Sequence, residues 1–518
     1  MYYFLNDNMQ FSKSGIEHAE LMRLQLFKDH HVPAKIVTRI FTMNLHDVMM
    51  GAKLADDDLV NLFEFFCGSQ SVARKPLQLA DFEVPMDAIK TRKQRQVHVV
   101  QHGKLLMIIY LRGKTGDEVS NVQYFDVNGK TIKMDWWDTR GMHCLEQLFD
   151  WDGKIAQEAY FGPDGQVNLE KLHLLNHAGQ ERLTWRVVNY HGTSWTFNGF
   201  QELTRFFYDE LNQNDESNVF ICDRTVECAW ALFNMETTAK KVLHLHNNHV
   251  ADSSDILHST LNNNYAHALN NWHQWDAVIS ATPEQSADVE ARFGKAIPAF
   301  TIPVGYVDAA TLAAKPVPFE QRQPHLIVQV ARLAPEKQPE QTIAAFQQIL
   351  AQFPDAQLEF WGYANGDTQK LLEAQVAKAH LEASVHFKGY TTDVNAVYNR
   401  AQLGVLPSRA EGFSLMLLEA QAHGLPMVVN DVKYGPSDII QDGVSGILTT
   451  EGQQQQLVDA MLDLLSHQDK LATFSAASYQ NAKRYSEAAV FDQWQKLLTY
   501  FKTVPVATDS VKTYEGVK

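Results

Sequence analysis

The chain predicts an α/β fold: two doubly wound parallel domains, the first interrupted by an antiparallel β-meander. Three observations carry that expectation. Short apolar runs that suit strands buried on both faces alternate with helix-length segments, as at 326–331, 358–361, 385–388, 403–406 and 427–430. From 82 to 198 the texture changes to alternating apolar and polar residues, punctuated by Asn128-Gly129, Asp152-Gly153, Asp164-Gly165 and Ala178-Gly179. Such pairs between alternating runs signal hairpins. An Ala-, Pro- and Gln-rich stretch, 309–325, separates the two parallel regions as a linker.

The first parallel region reads as a strand at 1–5, a polar loop at 6–15, a helix at 16–30 and a strand at 34–40. It resumes after the meander with strands at 218–222, 241–246 and 277–281. The expected domains are therefore 1–81 with 199–310, an inserted 82–198, and 320–485, followed by a helix at 486–502 and a flexible polar tail, 503–518. Asp56-Asp57-Asp58 reads as the acidic first turn of a helix over 59–63 rather than as a metal site.

At 518 residues the chain has room for two or three domains with sizeable cores. Its 45% hydrophobic and 20% charged residues are those of an ordinary globular protein. A net charge of -16 with no basic face argues against a nucleic-acid partner and disfavours a polyanionic one. Cys67, Cys144, Cys222 and Cys228 lack metal-ligand or disulfide spacing, which fits a reducing cytoplasm. The amino terminus has no signal-peptide pattern, and the longest apolar run, 105–111, is too short to span a bilayer. The expected location is cytoplasmic, with a peripheral place at the inner membrane face as an extension of it.

The most informative stretch is 403–420, LGVLPSRAEGFSLMLLEA. A buried strand ends at Pro407, a loop carries Glu411-Gly412-Phe413, and a helix opens at Ser414, a residue suited to cap it. Seven residues separate Glu411 from Glu419. A helix N-terminus beside two carboxylates suits a ligand that carries both phosphates and hydroxyls. Upstream, Arg332 and Lys337 in ARLAPEK stand five apart at a strand end and helix start, a spacing that can clamp a diphosphate without metal.

Glu411-x7-Glu419 with Gly412-Phe413 between, and the Arg-x4-Lys element before it, resemble the motifs of retaining GT-B glycosyltransferases of the GT4 type. The meander resembles the add-on sheet of the bacterial members that glycosylate serine-rich surface adhesins or wall teichoic acid. The resemblance implies two Rossmann-like domains facing a cleft, with the helix at 486–502 crossing back to the first domain. It implies a UDP-glucose or UDP-N-acetylglucosamine donor, no metal cofactor, and a polymeric hydroxyl acceptor, either Ser/Thr of an adhesin or polyol phosphate. An alternative is a non-catalytic subunit that binds acceptor and stabilises a partner enzyme.

Residue by residue, the resemblance gives Arg332 and Lys337 to the leaving diphosphate and Glu411 to a sugar hydroxyl. Glu419 goes to the ribose, and the backbone of Gly389 and Tyr390 to the uracil. Gly412 and Phe413 belong to the donor site, and the helix amides near Ser414 and Leu415 face the leaving diphosphate. Gly15, preceded by Ser14 where many relatives carry a second glycine, lets backbone approach the donor sugar. In HLHNNH, His246 is expected to face the reacting carbon, with His249 second. A metal reading of the three histidines lacks a carboxylate or cysteine in that segment. Lys433-Tyr434-Gly435-Pro436-Ser437-Asp438 resembles a phrase of the teichoic-acid branch and is expected to close over the donor. Trp136, Trp137, Trp151 and Trp195 would anchor a homo-oligomer or partner subunit through the meander, or simply pack its sheet.

Overall fold

The structure, a computed structural model, describes residues 1–213, 215–364 and 366–503. The tail expected to be flexible, 503–518, lies outside them except for Thr503. The chain divides into two compact units, Met1–Phe11 with Val32–Ala239, and Ser12–His31 with the chain from Lys240 on. This differs from the expected division: the helix Gly15–Asp29 and residues 240–310 belong with the second unit, and 82–198 stays within the first. Its Phe27 meets Trp494 edge-on at 5.1 Å, and His30 stacks on Phe491 at 3.5 Å. Both partners lie on the helix Glu487–Thr503.

In the first unit the strands Val219–Cys222, Tyr2–Leu5, Ala34–Thr38 and Leu59–Asn61 pair in that order, all parallel. The run at 59–63 is thus not one helix. Leu59–Asn61 is a buried strand, and the Asn61 side chain accepts from the amides of Phe63 and Glu64 to start the helix Leu62–Cys67. Asp56–Asp58 forms a 3-10 turn whose Asp58 carboxylate accepts from Ala55 N–H at 2.7 Å.

The inserted sheet has ten strands in strict sequence order, from Ile89–Lys93 to Thr193–Phe197. Its turns repeat one device. Asp126 Oδ1 accepts the amides of Asn128 and Lys130, Asp150 those of Asp152 and Lys154, and Asn176 those of Ala178 and Gln180. Each is followed by a glycine at positive φ, which only glycine adopts without cost. Arg140 ties the sheet to the parallel layer: its buried guanidinium donates to Glu64, Asp138 and the Ser69 carbonyl.

In the second unit Lys240–His244, Ala277–Ser280 and Ala299–Thr301 form a parallel set. A six-stranded parallel sheet follows in the order Val385–Gly389, Gln357–Trp361, Leu326–Val330, Leu403–Leu406, Met427–Asn430, Gly446–Thr449. Alternate residues enter two separate cores: Ile327, Val405 and Val428 one, Val328, Leu406 and Val429 the other. Both faces are covered, which is why these strands read as unbroken apolar runs. The stretch expected as a linker is anchored, since fully buried Arg322 donates to the carbonyls of Tyr398, Ala401 and His423. All four cysteines are free and buried. No helix among the described residues is long and apolar enough to cross a membrane.

Candidate functional site

The six-stranded sheet ends its strands beside one another, and the candidate residues leave from those ends. After Leu326–Val330 the ARLAPEK loop closes into a 3-10 turn, Pro335–Lys337. Gln329 Nε2 holds the Lys337 carbonyl at 2.9 Å, and Thr342 in turn donates to Gln329 at 2.6 Å. The fixed backbone aims the Lys337 ammonium at Glu411, where Nζ donates to Oε1 at 2.6 Å. Glu411 is only 5% exposed, so this contact is a charge-assisted bond in a poorly hydrated place. Arg332 is more open and pairs with Glu336 at 2.8 Å. An exposed pair of that kind is weak.

Gly412 passes directly beneath His246: a Cβ there would collide with the His246 carbonyl oxygen. The loop 411–413 and the segment at His246-Asn247 are therefore in backbone contact. The His246 amide donates to the Tyr265 hydroxyl at 2.9 Å, and its ring lies 4.1 Å from that of His244. The His244 ring in turn meets Arg23 at 2.8 Å. His249 does not share the position expected of it. It is fully buried against Tyr434 and Phe293, its ring facing protein on both sides. Burial pushes its pKa down to about 4, so the imidazole is neutral.

Ser414 stands at the head of the helix Leu415–Ala422 but does not cap it as expected. Its backbone is left-handed, φ 75°, and its side chain makes no capping bond. The loop must turn sharply there because Phe413 is driven into the core against Tyr485. The amides of Ser414, Leu415 and Met416 come before the first helical bond, which Leu417 makes to the Ser414 carbonyl. Leu415 fills the space above Gly305, where a Cβ would strike its side chain. Glu419, two turns on, accepts from the Tyr398 hydroxyl at 2.9 Å. Desolvation pushes its carboxyl up to about 7 despite that bond.

Gly389 lies at positive φ and leads to half-exposed Tyr390, whose hydroxyl is 3.5 Å from His18 Nε2 on the helix Gly15–Asp29. The Ser14 amide donates to Glu17 at 2.6 Å, which sets the start of that helix. A Cβ built on Gly15 meets nothing among the described residues within 4 Å, so their packing does not demand a glycine there. Residues 14–15 and 389–390 are thus neighbours through His18, which sequence reasoning did not single out.

Sequence reasoning also missed Asp288, on the helix Pro283–Phe293. Its carboxylate receives both Lys433 Nζ and the Tyr434 hydroxyl at 2.8 Å. The 433–438 phrase was conspicuous, but a single Asp on an amphipathic helix gives no signal of its own. The phrase is tied down: Tyr434 is fully buried and Lys433 also pairs with Glu284 at 3.0 Å.

Residues 313–481 match the family model described as glycosyl transferases group 1. The chain is 27% identical over 516 residues to the UDP-N-acetylglucosamine--peptide N-acetylglucosaminyltransferase GtfA subunit of Streptococcus gordonii, covering 96% of this chain and 98% of that relative. It is 22% identical over 539 residues to the poly(glycerol-phosphate) alpha-glucosyltransferase of Bacillus subtilis, covering all of this chain and 77% of that one. Among solved structures, the pneumococcal O-GlcNAc transferase GtfA in complex with UDP and GlcNAc superposes with a TM-score of 0.83 at 22% identity. That match covers 97% of this chain and 99% of the other. The fold is the GT-B fold expected from the sequence.

Proposed function

From a chain that carries a group 1 glycosyl transferase domain on a GT-B fold, we propose a UDP-sugar-dependent retaining α-glycosyltransferase. It moves glucose or N-acetylglucosamine to hydroxyls of a polymer bound for the cell surface. The observation that carries this reading is the Lys337–Glu411 bond at the strand ends, with Gly412 against the His246 carbonyl. A cation, a carboxylate and a backbone carbonyl converge where a sugar diphosphate needs all three.

Charge on departing UDP is the main electrostatic demand of glycosyl transfer. Lys337, Arg332 and the amides of Ser414 and Leu415 supply fixed positive ends for it. Glu411 accepts from a sugar hydroxyl and orients the ring, while Lys337 bridges that carboxylate to the phosphate. Glu419 accepts from ribose hydroxyls, and Gly389-Tyr390 meets the base. The acceptor hydroxyl attacks from the face that UDP leaves, and its proton passes to the departing phosphate oxygen. The clamp neutralises the diphosphate without a divalent ion.

Two acceptors are supported by different relatives: one is named a peptide N-acetylglucosaminyltransferase, the other a poly(glycerol-phosphate) glucosyltransferase. Net charge of -16 favours an uncharged Ser/Thr polymer over a polyphosphate. The Streptococcus gordonii relative is named a subunit, and the meander, with Trp151 84% exposed at a turn, is the surface for such an assembly. A UDP-sugar donor and four free cysteines suit work in the cytoplasm, before the polymer leaves the cell, including at the inner membrane face.

The test is a panel of UDP-sugars against a serine-rich peptide and a polyol-phosphate oligomer, read by mass spectrometry with and without chelator. Transfer to one acceptor that survives chelation is expected. Absence of UDP release from every donor would favour the non-catalytic subunit, and loss with chelator would refute the metal-free clamp.

A further inference from the structure

The segment that joins Met427–Asn430 to the short helix Pro436–Ile439 touches the carboxylate loop twice. The Tyr434 amide donates to the Glu411 carbonyl at 3.0 Å. Gly435 lies so close to Phe413 that a Cβ would collide with the Phe413 carbonyl oxygen. The far end of Tyr434 is held as firmly. Its hydroxyl donates to Asp288 Oδ2 at 2.8 Å, and its ring lies nearly parallel to that of His249, 17° and 6.1 Å apart. Lys433 brings the same Asp288 oxygen a counter-charge and reaches Glu284 as well. Neither nitrogen of His249 has a hydrogen-bond partner among the described residues. The imidazole therefore serves as a flat neutral wall behind Tyr434 and leaves Asp288 to hold the hydroxyl.

Glu411 sits in a loop, and a loop keeps a catalytic carboxylate within the about 0.5 Å that chemistry requires only if neighbours fix it. Lys337 fixes its side chain; Tyr434 fixes its backbone. We propose that Tyr434 and Asp288 form a positioning pair for Glu411, through which the helix Pro283–Phe293 sets the carboxylate loop for transfer. The pair rests on the transferase reading above and adds to it residues that act through Glu411.

Tyr434→Phe keeps the ring, the stack and the amide, and removes only the hydroxyl. Asp288→Asn keeps the size and removes the charge. In the full chain, kcat for UDP release should fall about tenfold in each, the scale of a slightly misplaced catalytic group. The dissociation constant of UDP should stay within about twofold, since the clamp is untouched. The double variant should be no slower than the slower single one, because the two residues act as one unit.

Unchanged kcat in both variants overturns the pair. So do losses that multiply in the double variant, or UDP affinity and melting temperature that fall in step with kcat, which mark a scaffold role. A wild-type chain that releases no UDP from any donor overturns the transferase reading itself, and the pair with it.

Discussion

Lys337 Nζ and Glu411 Oε1, 74 positions apart in the chain, are 2.6 Å apart in the fold. The pair joins the end of one central strand to the loop after its neighbour, since Leu326–Val330 and Leu403–Leu406 are adjacent in the sheet. Each charge is worth less alone than together. Lys337→Ala should lower kcat/KM by about a hundredfold or more, the scale of losing one donor to a developing anion. It should also leave Glu411 buried without its counter-charge and lower the melting temperature by several degrees. Glu411→Gln should lose turnover to a similar extent, yet bind UDP with near-normal affinity. Steady-state kinetics and calorimetric UDP titration check both; a Glu411→Gln enzyme that turns over normally would refute the site.

Glycines 15 and 412 make opposite predictions from their surroundings. Gly412→Ala drives a methyl into the His246 carbonyl and should destabilise the chain by about 1–3 kcal/mol, as overpacking does. Gly15→Ala enters open space and should leave the melting temperature unchanged. If the donor sugar uses that space, Gly15→Ala should still raise the donor KM, by about tenfold at the cost of one steric clash. Thermal melts beside kinetics separate packing from binding at the two positions.

Glu419 gives a pH signature whose sign follows from its raised pKa. Folding lifts this carboxyl from 4.5 to about 7, so the folded chain holds a proton that the unfolded chain releases. Its contribution to stability is full below pH 4.5 and is lost as pH rises through about 7. Compared with Glu419→Gln, the wild type should therefore lose melting temperature between pH 5 and pH 8. If ribose hydroxyls require the carboxylate, UDP binding near pH 6 should also release a proton. Titrations in buffers of different ionisation enthalpy measure that release.

Arg140 predicts how the meander is attached. Its guanidinium is buried between Glu64 and Asp138, so Arg140→Ala takes a buried cation from both carboxylates and should cost about 3–5 kcal/mol. Limited proteolysis should then cut the meander before the rest of the chain. Equal protection of both parts would argue against this junction as the anchor.

The sequence by itself determined most of the parallel strands and the hairpin turns, because each is a local pattern. Continuous apolar runs mark strands covered on both faces, and Asp-Gly or Asn-Gly pairs mark turns that need a positive φ. Arg332, Lys337, Glu411 and Glu419 stood out as candidates because their spacing is set within single strand–loop–helix units. The tertiary structure alone decided what those units touch. It put Glu411 on Lys337 and Gly412 under His246, buried His249 behind Tyr434, and brought in His18 and Asp288, which no local pattern distinguishes. It also assigned the first helix to the second unit through Phe27 and Trp494. Contacts between segments far apart in the chain are fixed by packing and by the pairing of buried polar groups, and neither leaves a periodic trace in either segment.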